Sequence, residues 1–347
     1  MKMEKRDIRA LSKEELRDFF VERGDQAFRG NQVYEWLWQK SVHRFEDMTN
    51  ISKETRNLLD EYFVINHVAV DQLQRSVDGT IKNAIRLHDG LLVESVLIPT
   101  ETRSTACVSS QVGCSLDCRF CATARLKRMR NLNPDEIYDQ VVAIDRQSRL
   151  YCGRPLSNIV FMGMGEPLMN YRNVLKAIDK ITSKEGLGMS PRRITVSTSG
   201  VPKMIRKMAD EGVKFNLAVS LHSAIDETRS SIMPFNEKMP LQELREALEY
   251  WYSKTRNRIT YEYVVWEGVN DKREDIDALI RFCRFAPAKV NLIQYNPIDE
   301  GEFQQAPEHV VNQYQQALEE AGITVTIRRS RGQDIDAACG QLANKSK

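Results

Sequence analysis

The sequence predicts an α/β protein whose main part is a partial, TIM-like barrel of about six βα units, with a small N-terminal helical domain and a β-hairpin extension. From about residue 104 onward, short apolar segments alternate with longer amphipathic ones, as in a parallel sheet covered by helices. Residues 1–65 show only helix signals, whereas residues 66–103 change to the two-residue period of strands. A closed barrel needs eight units, so we expect an open one.

Residues 1–65 are predicted to form the helical domain. Ser12 and Glu15 have the spacing of a capping box, which predicts that the first helix starts there. A second helix is expected near Gln32–Lys40, and a third is expected to begin after Ser52.

Residues 66–103 are predicted to form the hairpin extension that links the helical domain to the barrel. Asp78 and Gly79 mark a hairpin turn, and a second turn at residues 89–90 precedes a strand. Glu94 is a lone carboxylate in that apolar strand. Burial would be unfavourable unless it has a partner, and the alternative is a solvent-facing or salt-bridged position at a sheet edge.

The predicted barrel covers residues 104–342, and residues 343–347 form a tail. The predicted strands cover residues 105–108, 158–162, 193–196, 215–219, 259–265, 289–293 and 324–327. The predicted helices cover residues 134–146, 173–183, 202–211, 241–255, 272–285 and 307–321.

Composition excludes several classes of protein. No apolar run approaches the roughly 20 residues of a membrane span, and the N-terminus lacks the apolar core of a signal peptide, so we expect a cytoplasmic protein. The seven cysteines are an odd number and are clustered, which argues against a disulfide framework. The formal net charge is only +2, so a nucleic-acid partner would have to be bound by local clusters of basic residues.

Three cysteines within eight residues are the most specific motif in the chain. Cys114, Cys118 and Cys121 have the spacing Cys-x3-Cys-x2-Cys, with Cys107 seven residues upstream. Thiolates suit iron–sulfur clusters or zinc, but a structural zinc site usually takes four ligands from two separated pairs, and no second pair follows. Three thiolates on a four-iron cube would leave one iron open to a substrate.

The spacing, with Phe120 before the last cysteine, resembles the radical S-adenosylmethionine (SAM) signature. Together with the run from Cys107 to Cys114, it resembles the RlmN/Cfr family, whose members are radical SAM methyltransferases acting on an adenosine ring carbon in RNA. The resemblance implies a radical SAM type of barrel, a [4Fe-4S] cluster on the three cysteines, SAM as cofactor and an N-terminal RNA-binding domain. It also implies 23S ribosomal RNA and tRNA as substrates and an external one-electron reductant of the flavodoxin or ferredoxin kind. We expect a monomer.

In βα barrels the functional residues follow the carboxyl ends of the strands, and several polar residues lie there in this sequence. Gly165 permits close approach of a ligand, and Glu166 can accept hydrogen bonds from an ammonium group. The family resemblance assigns to SAM binding seven residues at these strand ends: Gly165, Glu166, Ser197, Ser220, Leu221, His222 and Asn296.

The resemblance implies adenine C2 as the target carbon. This carbon is electron-poor and cannot attack a sulfonium directly, whereas a nucleophilic thiolate can accept the methyl group first. The resemblance assigns this role to Cys339, on a glycine-bounded loop where nearby arginines should favour thiolate. It implies that a second SAM yields a deoxyadenosyl radical that activates the S-methyl group. It further implies that Glu94 accepts a proton and that Cys107 releases the RNA by forming a transient disulfide with Cys339. Cys152 and Cys283 are expected to be structural.

Two basic clusters flank the predicted site and are expected to contact phosphate. They are Arg125, Lys127, Arg128 and Arg130, and Arg328, Arg329 and Arg331. Two other functions stay open. One is methylation of adenosine C8 in 23S ribosomal RNA, as in the Cfr branch, which is associated with antibiotic resistance. The other is a non-enzymatic, metal-stabilised RNA-binding module.

Overall fold

The computed structural model describes residues 5–344. The first four residues of the predicted helical domain and residues 345–347 of the predicted tail lie outside this range. The strands are β1 (Arg6–Asp7), β2 (Phe63–Val64), β3 (Ala69–Arg75), β4 (Ile81–Arg86), β5 (Leu92–Pro99), β6 (Ser104–Cys107), β7 (Gln111–Val112), β8 (Arg130–Asn131), β9 (Asn158–Phe161), β10 (Ile194–Thr198), β11 (Asn216–Ser220), β12 (Ile259–Val264), β13 (Ala288–Ile293) and β14 (Thr324–Arg328). The helices are α1 (Lys13–Val21), α2 (Phe28–Trp38), α3 (Lys53–Tyr62), α4 (Pro134–Cys152), α5 (Tyr171–Thr182), α6 (Pro202–Asp210), α7 (Asp226–Ile232), α8 (Leu241–Thr255), α9 (Arg273–Cys283) and α10 (Glu308–Glu320).

Ten strands form one sheet in the order β14-β13-β12-β11-β10-β9-β6-β5-β4-β3. In this sheet every neighbouring pair among β6 and β9 to β14 is parallel. A helix follows each of these strands in the chain except β14. The predicted α/β class with six βα units is therefore confirmed. The sheet does not pair β14 with β6, so the barrel is partial.

A contact between distant strands shows how strongly the sheet curves. The Met162 sulfur, just after β9, lies 4.0 Å from Nη1 of Arg328 at the end of β14. Four strands separate β9 from β14, and adjacent strands lie about 4.8 Å apart, so a flat sheet would hold the two main chains about 24 Å apart. Only a curved sheet brings these side chains together, and the curvature gathers the carboxyl ends of the strands around one space.

The extension adds the antiparallel strands β3, β4 and β5 to the barrel sheet. The first predicted turn is present, because Ser76 N donates to Thr80 O over 2.8 Å. The extension has three strands, as its two predicted turns imply, and β5 continues directly into the sheet by pairing with β6. The hairpin of the extension is therefore fixed to the barrel.

The N-terminal helices follow the capping signals closely. Ser12 and Glu15 form the predicted capping box, and α3 begins directly after Ser52. The second helix starts at Phe28, four residues before the predicted start. The N-cap residue of this helix, Ala27, has no side chain that can make a capping hydrogen bond, so the sequence carries no local signal for this start.

Arg9 anchors this N-terminal part to α4. Its guanidinium lies 2.7 Å from Asp139 Oδ1 and 3.2 Å from Asp135 Oδ2, and its side chain is only 2% exposed. Removing one partner of such a buried pair strongly destabilises the fold.

No helix between residues 5 and 344 is both long and apolar enough to cross a membrane.

Candidate active site

An open cavity lies where the carboxyl ends of the parallel strands meet. Its empty volume is about 1070 Å³, which includes the open solvent at its mouth. Ten of the residues selected from the sequence line it: Cys114, Cys118, Cys121, Gly165, Glu166, Ser197, Ser220, His222, Asn296 and Cys339. Three others, Glu94, Cys107 and Leu221, are buried but do not line it.

The three cysteines of the motif lie on one wall of the cavity, beside a small apolar cluster. Leu116, Phe235 and Trp266 belong to this cluster, and Phe120 packs 5.1 Å from the Trp266 ring. Burial raises the pKa of all three thiols, to about 12 for Cys114. The thiols are protonated without a metal, and a bound metal reverses this by its own charge.

This donor set fits an iron–sulfur cluster. Three soft ligands converge on a space with apolar walls, which limits the access of water to the metal. Within residues 5–344, no group of three or more His, Cys, Asp or Glu side chains is arranged to hold a metal ion, so the fit rests on the chemistry and the shared cavity of the three thiols.

Gly165 and Glu166 form a tight turn against Gln111. Gly165 has a φ of +95°, and a Cβ built on it would lie 2.5 Å from Gln111 Cβ, so only glycine fits. Glu166 is buried and accepts hydrogen bonds from Ser199 N over 2.8 Å and from Leu168 N over 3.0 Å. Burial raises the pKa of Glu166, and these hydrogen bonds oppose the shift. The turn therefore presents a fixed acceptor at the cavity wall.

His222 follows β11 and is held neutral. Burial, together with the charge of Arg229, lowers its pKa to about 3. Its Nδ1 accepts a hydrogen bond from Val264 N over 3.2 Å, and its backbone has a φ of +58°. Leu221 is fully buried in the core, so it can reach the cavity only through its main chain.

The Cys339 loop, residues 329–342, closes one side of the cavity. Asn296 Nδ2 donates to Cys339 O over 3.2 Å, and Gln333 Nε2 donates to Asn296 Oδ1 over 2.9 Å. Gly340 O accepts from Ala122 N over 2.7 Å, next to Cys121. Asn296 therefore holds the Cys339 loop in this structure.

Cys107 and Cys339 lie close enough for their charges to interact, and Arg328 acts on both. Cys339 is exposed through the cavity mouth, as the sequence predicted, and all seven cysteines are free thiols. Burial raises the pKa of Cys107 to about 12, and repulsion between the two thiolates adds to the shift. Protein atoms around Cys339 also raise its pKa, although Arg328 opposes this shift. Arg328 acts in the direction that the sequence predicted, and a thiolate at Cys339 stays a prediction.

Glu94 is buried and has the partner that its position demands. Its Oε1 lies 3.6 Å from Lys82 Nζ, and its Oε2 accepts from Ala343 N over 2.7 Å and from Asn344 N over 3.2 Å. The carboxylate therefore faces the end of the chain behind the Cys339 loop. Neither contact could be read from the local sequence.

The two basic clusters are only partly available to phosphate. Arg130 pairs with Glu136 and Asp89, and Arg125 donates to main-chain carbonyls at residues 299–300. Arg328 lines the cavity and pairs with Glu262, and its contact with phosphate stays a prediction. Lys127, Arg128 and Arg329 remain exposed.

Glu262 and Gln111 are buried site residues that the sequence reasoning missed. Glu262 lines the cavity and pairs with Arg328 over 2.9 Å. Gln111 Oε1 accepts from Glu166 N over 3.0 Å and thereby supports the glycine turn. A carboxylate at an inward position of β12, two residues before Val264, was the available signal for Glu262.

The fold and the site define a radical SAM protein. Residues 108–283 match the Radical SAM superfamily, and residues 6–65 match the Ribosomal RNA large subunit methyltransferase N-terminal domain. A solved structure described as a radical SAM methyltransferase from Sphaerobacter thermophilus is 38% identical, with a TM-score of 0.92 over 98% of this chain and 100% of that chain.

Full-length relatives specify the family further. A probable dual-specificity RNA methyltransferase RlmN from Flavobacterium johnsoniae is 72% identical over 99% of both chains. One from Christiangramia forsetii is 73% identical over 100% of this chain and 98% of the relative. A dual-specificity RNA methyltransferase RlmN from Geotalea uraniireducens is 44% identical over 99% of this chain and 98% of the relative. The chain belongs to the RlmN family, and the resemblance seen in the sequence is confirmed.

Proposed function

We propose that this chain is a radical SAM methyltransferase that methylates C2 of adenosine in 23S ribosomal RNA and in tRNA through an S-methylated Cys339. The observation that carries the proposal is the convergence of Cys114, Cys118 and Cys121 with Cys339 on one cavity, with Cys107 next to it. The names of the relatives support RNA methylation of the RlmN kind, and nothing favours the C8 alternative or a binding module.

We assign the cysteines of the motif to a [4Fe-4S] cluster and the polar strand ends to SAM. Gly165 and Glu166 suit the ammonium group, because the turn is fixed and the carboxylate is buried. Ser197, Ser220, His222 and Asn296 line the rest of the cavity, and Leu221 can add only its main chain. When bound, the cluster and SAM supply an organic radical that removes hydrogen from a methyl group.

Cys339 and Cys107 carry the thiol chemistry. The Cys339 thiolate attacks the methyl group of one SAM, so that a carbon–sulfur bond forms and S-adenosylhomocysteine leaves. After the methylene carbon has joined adenine, the Cys107 thiolate attacks the Cys339 sulfur. A disulfide forms, the carbon–sulfur bond to RNA breaks with its electron pair remaining on carbon, and a proton completes the methyl group. Two SAM molecules are consumed in each turnover.

Glu94 is assigned as the proton acceptor by the family resemblance. Its carboxylate is engaged by Lys82 and by the amides of Ala343 and Asn344. These two amides must release it before it can turn towards a substrate in the cavity. Proton transfer is thereby tied to a movement of the chain after Cys339.

The substrates and partners follow from this chemistry. The target adenosine has to leave its stack to reach the cavity, so recognition of unpaired or splayed bases is expected. An external one-electron reductant of the flavodoxin or ferredoxin kind is required. We place the enzyme, as a monomer, in the cytoplasm, because its proposed substrates are ribosomal RNA and tRNA.

Anaerobic reconstitution with iron and sulfide, followed by incubation with SAM, reductant and RNA, tests the proposal. We expect 2-methyladenosine in digests of a 23S ribosomal RNA fragment and of tRNA, and none with Cys339→Ala. Detection of 8-methyladenosine would contradict the C2 assignment. A protein that binds no iron and does not cleave SAM would overturn the whole proposal.

A further inference from the structure

The hydrogen bonds within the Cys339 loop are short-range, such as that from Ala337 N to Gly332 O over 2.9 Å. Between β14 and Cys339 its only regular element is the short 3₁₀ turn Gln333–Ile335, and left-handed residues flank that turn at Gly332 and Asp336. A thiol that must meet SAM, RNA and Cys107 in succession needs a defined position. The loop must therefore be held by contacts with other parts of the chain.

The turn of the β3–β4 hairpin makes reciprocal contacts with this loop. Asp334 on the loop accepts from Ser76 Oγ over 2.6 Å and from Val77 N over 3.1 Å. In the opposite direction, Asp78 on the hairpin accepts from Gly332 N over 2.9 Å, and its main-chain oxygen accepts from Arg331 Nη2 over 2.7 Å. Each segment thus offers a carboxylate to a main-chain amide of the other, and we call the pair Asp78 and Asp334 the aspartate clasp.

Packing and charge around the clasp support a specific contact between the hairpin turn and the Cys339 loop. A Cβ placed on Gly332 would lie 2.8 Å from the side chain of Thr80, so the loop and the hairpin are closely docked. Burial raises the pKa of Asp78, but hydrogen bonds from Thr80, Gly332 and Ser76 outweigh it and bring the pKa to about 2. The hydrogen bonds from Ser76 and Val77 lower the pKa of Asp334. Both carboxylates are therefore ionised at neutral pH.

Lys82 extends the connection along the same extension. Its ammonium lies 3.5 Å from Asp336 O on the loop and 3.6 Å from Glu94, which binds the amides at residues 343–344. The extension therefore holds the chain both before and after Cys339.

We propose that Asp78 and Asp334 are positioning residues that fix the Cys339 loop over the cavity, so that the hairpin turn sets where the methyl-carrying thiol lies. The inference rests on the role proposed for Cys339, and it gives the antiparallel extension a part in catalysis rather than in stability alone. Neither aspartate lines the cavity, so both act through the position of Cys339.

Disulfide trapping in the full-length protein tests the clasp without RNA, SAM or turnover. Oxidised glutathione converts the Cys107 and Cys339 thiols to a disulfide and is itself reduced to two glutathiones, and mass spectrometry of the peptides gives the rate. We expect Asp334→Ala to slow the formation of this disulfide roughly tenfold, because two hydrogen bonds to a charged group are lost. Alkylation of Cys339 by iodoacetamide, with Cys152 as internal reference, should become faster.

The conservative variant and a matched control separate positioning from general stability. Asp334→Asn keeps one acceptor oxygen and should recover most of the rate. Asp71→Ala removes a carboxylate that pairs with Arg86 in the same hairpin, and it should leave the trapping rate unchanged. In methylation assays Asp334→Ala should lower kcat about tenfold with little change in KM for RNA.

The outcomes distinguish this inference from the proposed function. Unchanged disulfide and alkylation rates in Asp334→Ala would overturn the clasp, even if the wild type methylates RNA. A wild type that never forms the Cys107–Cys339 disulfide would count against the release step, while the alkylation rates would still report on the clasp. If Asp334→Ala does not fold, Asp78→Asn supplies the same comparison from the hairpin side.

Discussion

Arg328 and Glu262 form an ion pair 2.9 Å long inside the cavity, although strand β13 lies between their strands. Asn291 on β13 donates to the second oxygen of Glu262 over 2.8 Å, so the carboxylate is bound from two strands. Arg328 also opposes the rise in the pKa of both Cys107 and Cys339. The pair therefore links strands β12 and β14 to the chemistry of the two thiols.

Replacing Arg328 by methionine should destabilise the fold, because Glu262 would remain as a buried carboxylate with only Asn291 as partner. We expect a loss of about 2 kcal/mol in the free energy of unfolding, less than for a fully buried pair because the Arg328 side chain is 35% exposed. Urea unfolding measures the loss. The double variant Arg328→Met/Glu262→Gln should recover a large part of it, and a double variant no more stable than the single one would contradict this account.

The sequence predicted those features that are encoded locally. The capping box at Ser12, the alternation of strands and helices, and the cysteine spacing each depend on neighbouring residues, and the structure contains all three. The partners of Glu94 and the inward turn of Arg328 could not be predicted. Glu94 meets amides about 250 residues later in the chain, and Arg328 meets Glu262 across the intervening strand β13. Strand order and chain return are tertiary properties that leave no mark in a short window of sequence.

Substituting Gly165 by alanine should weaken SAM binding by at least tenfold. The new methyl group would lie 2.5 Å from Gln111 Cβ in a left-handed backbone conformation, so the turn carrying Glu166 would have to shift. Equilibrium dialysis with SAM after reconstitution measures the effect. Gly90→Ala is the matched control, because Gly90 has a φ of +83° but no atom within 4 Å of the added Cβ. Equal losses in the two variants would mean that backbone strain, and not the contact with Gln111, is responsible.

Replacing Cys107 by alanine should trap a covalent protein–RNA adduct. Without the second thiol, the Cys339 sulfur cannot be attacked, so the carbon–sulfur bond to RNA persists. A denaturing gel of the reconstituted variant with SAM, reductant and RNA should show a band of higher mass. Cys339→Ala should give no such band, since it lacks the methyl carrier, and Cys152→Ala should behave like the wild type. An adduct in the Cys339 variant would refute the assignment of the methyl carrier.

The contribution of Asp78 to stability should depend on pH in one direction. Its folded-state pKa of about 2 is below the ordinary value of 3.8, so the unfolded chain binds more protons between these values and stability rises with pH there. The difference in the free energy of unfolding between wild type and Asp78→Asn should therefore be greatest above about pH 4 and should shrink as the pH falls towards 2. Urea unfolding at several pH values measures this difference.

Asp71→Asn, measured in parallel, reports the effect of removing a carboxylate from the same hairpin without touching the Cys339 loop. If the difference for Asp78→Asn instead grew as the pH fell, its carboxylate would not be stabilised as an anion by Thr80 and Gly332. The charge of Asp78 would then not hold the clasp together, because the hydrogen bonds from Thr80 N and Gly332 N favour the ionised carboxylate. A constant difference at all pH values would point to the packing of Thr80 against Gly332, rather than the charge of Asp78, as what holds the loop to the hairpin.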